Sequence, residues 1–132
     1  MAHVLIVEDN ALIACDLQAI VESAGHRVVG VAATIAEARG LLGCCEAALL
    51  DVDVRDGKTF ELAATLAQCD QHFMFVTGSL PKDVPPELKN ATLLQKPYRE
   101  SDIRRWLRNI EPEETTLIPA QFDPSEASPL SA

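Results

Sequence analysis

The 132 residues hold no apolar run approaching the roughly 20 needed to cross a bilayer, which excludes a membrane-spanning helix. The N-terminus, Met-Ala-His before a strand-like stretch, lacks the basic region and small-residue cleavage site of a signal peptide, so the expected location is cytoplasmic. Positive charge is scarce, and the formal net charge is −9. Non-specific attachment to nucleic acid or to an anionic membrane needs basic patches, so neither partner is expected. Residues 111–132 carry no Lys or Arg at all, and their five acids set −5 against −4 for residues 1–110. Metal–thiolate spacing is missing too. Cys15, Cys44, Cys45 and Cys69 form no C-x-x-C and have no nearby His pair, which leaves them as reduced thiols packed like small apolar residues. His3, His26 and His72 sit on no exposed helical face with basic neighbours, so a phosphohistidine carrier is not indicated.

What is present reads as one domain with a proper core. His3 to Val7 is a short apolar strand. Asn10 caps a helix in which Ile13, Leu17, Ile20, Val21 and Ala24 recur at helical spacing, with Gly25 as its stop. Arg27 to Ala32 is strand-like. Thr34 followed by Glu37 is a capping-box pattern that predicts a second helix ending at Gly43. Ala47 to Leu50 is the third strand, and Gly57 breaks the loop before a helix from Thr59 to Gln68. His72 to Val76 and Ala91 to Gln95 are the remaining strands. Pro81, Pro85 and Pro86 leave the segment between them at most a turn of helix, short or disordered. The last helix spans Glu100 to Asn109. Apolar strands alternating with helices predict a flavodoxin-like, doubly wound, five-stranded parallel sheet of order 2-1-3-4-5. Trp106 and Tyr98 read as packing residues. Residues 1–110 form this domain; 111–132, with four prolines and few large apolar residues, are expected to be a disordered acidic tail. Leu117, Ile118 and Phe122 are a candidate docking segment within it.

In such a sheet ligands bind beyond the carboxyl ends of the strands. Glu8 and Asp9 end the first strand, Asp51 the third, Thr77 the fourth and Lys96 the fifth. Three converging carboxylates would repel one another by about 4 kcal/mol per pair in a protein-like medium. A hard divalent cation removes that penalty, and magnesium takes oxygen ligands of this kind. Glu8, Asp9 and Asp51 are therefore the expected metal ligands, with the backbone carbonyl of Asp53 as a fourth. Asp51 is the candidate nucleophile toward a phosphoryl group, while Thr77 and Lys96 donate to its oxygens. Asp53 either extends the acidic rim or orients a hydrolytic water.

At these residues the chain resembles the receiver domains of two-component response regulators. The resemblance covers residues 3 to 110: the acidic pair after Val-Leu-Ile-Val, Leu-Leu-Asp51, Val76-Thr77-Gly78 and Lys96-Pro97-Tyr98. It implies phosphorylation of Asp51 by a histidine kinase or histidine phosphotransfer protein, magnesium dependence, and a cis bond before Pro97. It also implies signalling through an unidentified downstream protein or a phosphorelay, with the helix Ala11 to Ala24 as the kinase contact. Leu93 stands where most receivers place a switch aromatic, and the loop after Asp51 is short and lacks the usual proline. Phe73 to Ser79 is similar to the motif of the FATGUY receivers, often stand-alone, with Val76 in place of Ala and no terminal aromatic. If phosphorylation draws Thr77 inward, the response is expected to pass through Ser79–Asn90. Two other readings use the same residues: a haloacid-dehalogenase-like phosphohydrolase built on Asp51-Val52-Asp53, and a receiver-fold binding module that is never phosphorylated.

Overall fold

Val4, Leu5, Ile6 and Val7 are all fully buried, because the strand they form is covered on both faces. In the computed structural model, which describes residues 1–78 and 84–110, this strand is β1 (His3–Val7). It lies between β2 (Arg27–Ala32) and β3 (Ala47–Leu50); β6 (His72–Thr77) and β7 (Leu93–Gln95) extend the sheet. The order is β2-β1-β3-β6-β7 and every pair is parallel. Counting only these five strands along the chain gives 2-1-3-4-5, the flavodoxin-like arrangement expected from the alternation of elements.

The period-2 alternation of a strand divides the core in two. Val4, Ile6, Ala47, Leu49, Met74 and Val76 face α1 (Ala11–Ser23) and α4 (Glu100–Ile110). Leu5, Val7, Ala48, Leu50 and Phe75 face α2 (Ile35–Arg39) and α3 (Phe60–Gln68). Trp106 is buried on the inner face of α4 beside Ile103, Leu107 and Ile110, the packing role its spacing suggested. Fully burying one such Leu stabilises the fold by about 1.5–3 kcal/mol.

Helix ends follow their sequence signals. Asn10 Oδ1 accepts from the amides of Leu12 and Ile13 at 3.0 and 3.2 Å. At the other end of α1, His26 N donates to Val21 O and Gly25 N to Glu22 O, with Gly25 at φ +91°, a left-handed position that suits glycine. Thr34 Oγ1 accepts from Glu37 N at 3.1 Å, and Glu37 returns a carboxylate to the Ala33 amide at 2.8 Å.

Several expectations need correction, the first being the packing of the cysteines: only Cys45 is buried, while Cys15, Cys44 and Cys69 are exposed. The second helix stops at Arg39 rather than Gly43, because Gly40 weakens its continuation, and Leu42–Cys44 forms a separate 3-10 turn. The last strand begins at Leu93, not Ala91, because the Ala91 amide closes a turn onto Leu88 O. The loop after Asp51 contains a hairpin that was not foreseen, β4 (Asp53–Val54) with β5 (Gly57–Lys58). Between Thr77 and Leu93 the described residues include a 3-10 turn, Pro86–Leu88. Residues 79–83 and the acidic tail, with its candidate docking segment, lie outside the described residues.

Candidate functional site

The sheet ladder continues past the last strand residues and pins the backbone of the polar residues that follow. Glu8 N donates to Ala32 O at 2.9 Å, Asp51 N to Val7 O at 2.8 Å, and Lys96 N to Thr77 O at 2.7 Å. Three side chains from three strands are thus presented from rigid elements rather than from free loops.

Carboxylate oxygens of Glu8, Asp9 and Asp51 lie within 4.8 Å of one another. Glu8 is 3 % exposed and Asp51 9 %. Lys96 enters from the end of β7, the edge strand beyond β6, its Nζ donating to Glu8 Oε1 at 2.8 Å and to Asp51 Oδ2 at 3.3 Å. The second Glu8 oxygen accepts from the Asn10 amide at 3.0 Å. Thr77 is buried at the end of β6, on the strand next to β3. The Lys96–Pro97 peptide bond is cis, as the resemblance implied.

This electrostatic setting is uneven. Burial and the Glu8 charge push the Asp51 carboxyl up to about 6, against the opposing pull of Lys96. For Lys96, burial works to lower the ammonium, but the Glu8 and Asp51 carboxylates prevail and hold it above its ordinary value. Without a further cation, one ammonium faces several carboxylates. Oxygen donors this close, of this hardness and this short of positive charge, fit a magnesium ion.

Asp53 stands apart. Its carboxylate is exposed and pairs with Lys58 Nζ at 2.5 Å across the β4–β5 hairpin, so its side chain does not join the acidic group. Sequence reasoning missed two residues of this region. Thr59, fully buried, donates its hydroxyl to Asp51 O at 2.6 Å. Asp56 in the hairpin turn accepts from the Ile35 and Ala36 amides at 2.6 and 3.2 Å, tying the hairpin to the start of α2. Gly57, at φ +137° where the turn enters β5, was the available signal for the hairpin. Nothing in the sequence signalled the reach of Asp56 to α2. Beside the site, Tyr98 is half-buried and its hydroxyl donates to Asp16 on α1 at 2.6 Å; burial and the Asp16 carboxylate raise its pKa.

Fold and site together define a CheY-like receiver. The chain is 30% identical to the signal receiver domain of a modulated diguanylate cyclase from Desulfovibrio desulfuricans G20, with a TM-score of 0.74 over 83% of this chain and 92% of that one. SdrG from Sphingomonas melonis Fr1 is 32% identical, with a TM-score of 0.71 over 82% and 94% of the two chains. Among curated proteins, the phyllosphere-induced regulator PhyR of Methylorubrum extorquens is 32% identical over 76% of this chain. The chain spans 40% of the length of that relative. No family model matches it. The chain belongs to the receiver-domain family of response regulators. Among the described residues, no helix is long and apolar enough to cross a membrane.

Proposed function

We propose that this chain is a cytoplasmic response regulator that accepts a phosphoryl group on Asp51 from a histidine kinase or a histidine phosphotransfer protein. The observation that carries the reading is the Lys96 ammonium shared between Glu8 and Asp51 at the mouth of three carboxylates. A carboxylate oxygen of Asp51 attacks phosphorus, the P–N bond to the donor imidazole breaks, and the imidazole leaves with the electron pair and takes up a proton. An ionised Asp51 needs no general base. Lys96 and the Thr77 hydroxyl bind the phosphoryl oxygens as charge builds on them. Glu8, Asp9, Asp51 and the carbonyl of Asp53 would hold magnesium. When bound, magnesium neutralises the carboxylates and lets an anionic donor approach.

The exposed pairing of Asp53 with Lys58 speaks against the phosphohydrolase reading, in which Asp53 would have to share the crevice as a general acid. The chain would therefore promote only its own phosphorylation and dephosphorylation. Signalling would follow through a protein partner or a phosphorelay. The kinase would dock along α1, where Leu12 is 83 % exposed one turn from the acidic group. Residues 1–110 would constitute the receiver, with 111–132 as an appended acidic segment.

The test is incubation with phosphoramidate and magnesium, read by intact mass and peptide mapping. A gain of one phosphoryl group at Asp51, absent in Asp51→Asn and without magnesium, supports the proposal. An unmodified wild-type protein defeats it.

A further inference from the structure

Thr59 opens α3, where a threonine ordinarily accepts a hydrogen bond from the first turn of the helix. Its side chain makes no such cap. The hydroxyl turns the other way and donates to Asp51 O at 2.6 Å, with Val52 O also within 3.4 Å. The Thr59 amide donates to Val52 O at 2.9 Å. Two donors of one fully buried residue are thus spent on the two carbonyls that begin the segment after β3. A local preference abandoned beside a functional group calls for a reason.

The hairpin supplies it. Asp53 pairs with Lys58 and Val54 with Gly57, so Thr59 is the next rung of the same ladder, at the root where the hairpin rejoins the sheet. From this place it sets the peptide plane that follows Asp51. It also sets the course of the chain toward Asp53, whose carbonyl is the fourth donor expected for magnesium. We propose that Thr59 is a positioning residue for phosphoryl transfer: its hydroxyl holds the backbone of the acceptor Asp51 and, through the hairpin root, the Asp53 carbonyl, in the geometry that binds magnesium and meets phosphorus. This rests on the phosphoacceptor reading above. Thr59 touches neither the donor nor the reacting oxygen, and acts through main-chain atoms alone.

The experiment compares wild type, Thr59→Val and Thr59→Ser with phosphoramidate, measuring the rate constant at saturating donor, the donor KM and the dissociation constant of magnesium alone. Val keeps the volume and removes the donor; Ser keeps the donor. The Val variant is expected to lose about tenfold in rate constant and in magnesium affinity with donor KM unchanged, as misplacement of reacting groups does. Ser is expected to restore both within about twofold. A change confined to thermal stability, with rate and magnesium affinity preserved in Val, overturns the role. Failure of Ser to rescue also overturns it. Should Val not fold, wild-type NMR decides: a slowly exchanging Thr59 hydroxyl proton supports the bond, and its absence overturns it. Wild-type protein that remains unmodified at Asp51 defeats the phosphoacceptor reading itself, whereas equal modification of wild type and Val defeats only Thr59.

Discussion

Lys96 Nζ stands 2.8 Å from Glu8 Oε1, closer than its 3.3 Å approach to Asp51 Oδ2. The ammonium is thus anchored on the buried Glu8 carboxylate, which leaves Asp51, the proposed phosphoacceptor, as its looser partner. Lys96 still lowers the Asp51 carboxyl from where burial and Glu8 would put it. In Lys96→Met that pull is gone. Without metal, the Asp51 carboxyl of the variant is expected to titrate clearly above 6, measured by carboxyl-detected NMR, and the phosphorylation rate to fall on the order of 100-fold. A titration identical to wild type would show the pair to be without electrostatic effect.

Asp51 also makes the metal-free protein sensitive to pH. Its folded pKa, about 6, lies above the value near 3.9 of an unfolded chain, so between these the folded state binds the extra proton. The contribution to stability is present at pH 4 and is lost as pH rises through 6. Asn at position 51 removes the titration. The melting temperature of Asp51→Asn in chelator is expected to exceed that of wild type by several degrees at pH 7, a gap of about 1–2 kcal/mol, and to converge with it near pH 4. Saturating magnesium should close the gap at pH 7, since only wild type keeps all three of the carboxylates proposed to hold it. A pH-independent gap would locate the effect elsewhere.

These carboxylates were legible in the sequence for a physical reason. Val4 to Val7 and Ala47 to Leu50 are apolar on both faces, and an acid at the end of such a run is costly unless something employs it. Lys96 and Thr77 were legible by the same logic, because a doubly wound sheet brings successive strand ends to one crevice. Thr59 and Asp56 were not. Each acts through a backbone atom outside its own element, Asp51 O for one and the Ile35 and Ala36 amides for the other, and no periodicity encodes such contacts. The β4–β5 hairpin escaped because two-residue strands are too short for an alternating pattern. The end of α2 was overrun because the turn at Leu42–Cys44 continues the apolar pattern after the backbone has left the helix.

Asp56 offers a stability test away from the chemistry. Its carboxyl is held below its ordinary value by the Ile35 amide, then by that of Ala36, and the contact ties the hairpin turn to α2. In Asp56→Ala these two amides lose their acceptor while the Thr34 cap remains. Amide exchange at Ile35 and Ala36 is expected to accelerate on the order of tenfold, with α1 and α4 unaffected. Because its pKa is lowered, the protection in wild type should persist to more acidic pH than an ordinary aspartate would allow and fade as that carboxyl protonates. Unchanged exchange in the variant would mean that Thr34 alone sustains the first turn of the helix.

Asp53 is where the sequence left two roles open, and the geometry favours one. Its carboxylate pairs with Lys58 Nζ at 2.5 Å, both side chains are well exposed, and neither belongs to the acidic group. A carboxylate occupied by an ammonium and open to solvent is poorly placed to hold a water in line with phosphorus, and an exposed pair of this kind contributes at most about 1 kcal/mol to stability. Asp53→Asn keeps the backbone carbonyl that is expected to reach magnesium. The variant should therefore lose its phosphoryl group at the wild-type rate within about twofold and bind magnesium with little change. A phosphorylated lifetime extended tenfold or more would reverse the assignment and make Asp53 the residue that directs the hydrolytic water. Lys58→Met separates the cases further. If the ion pair holds Asp53 away from the site, releasing it should shorten the lifetime; if Asp53 only extends the rim, the lifetime should not move.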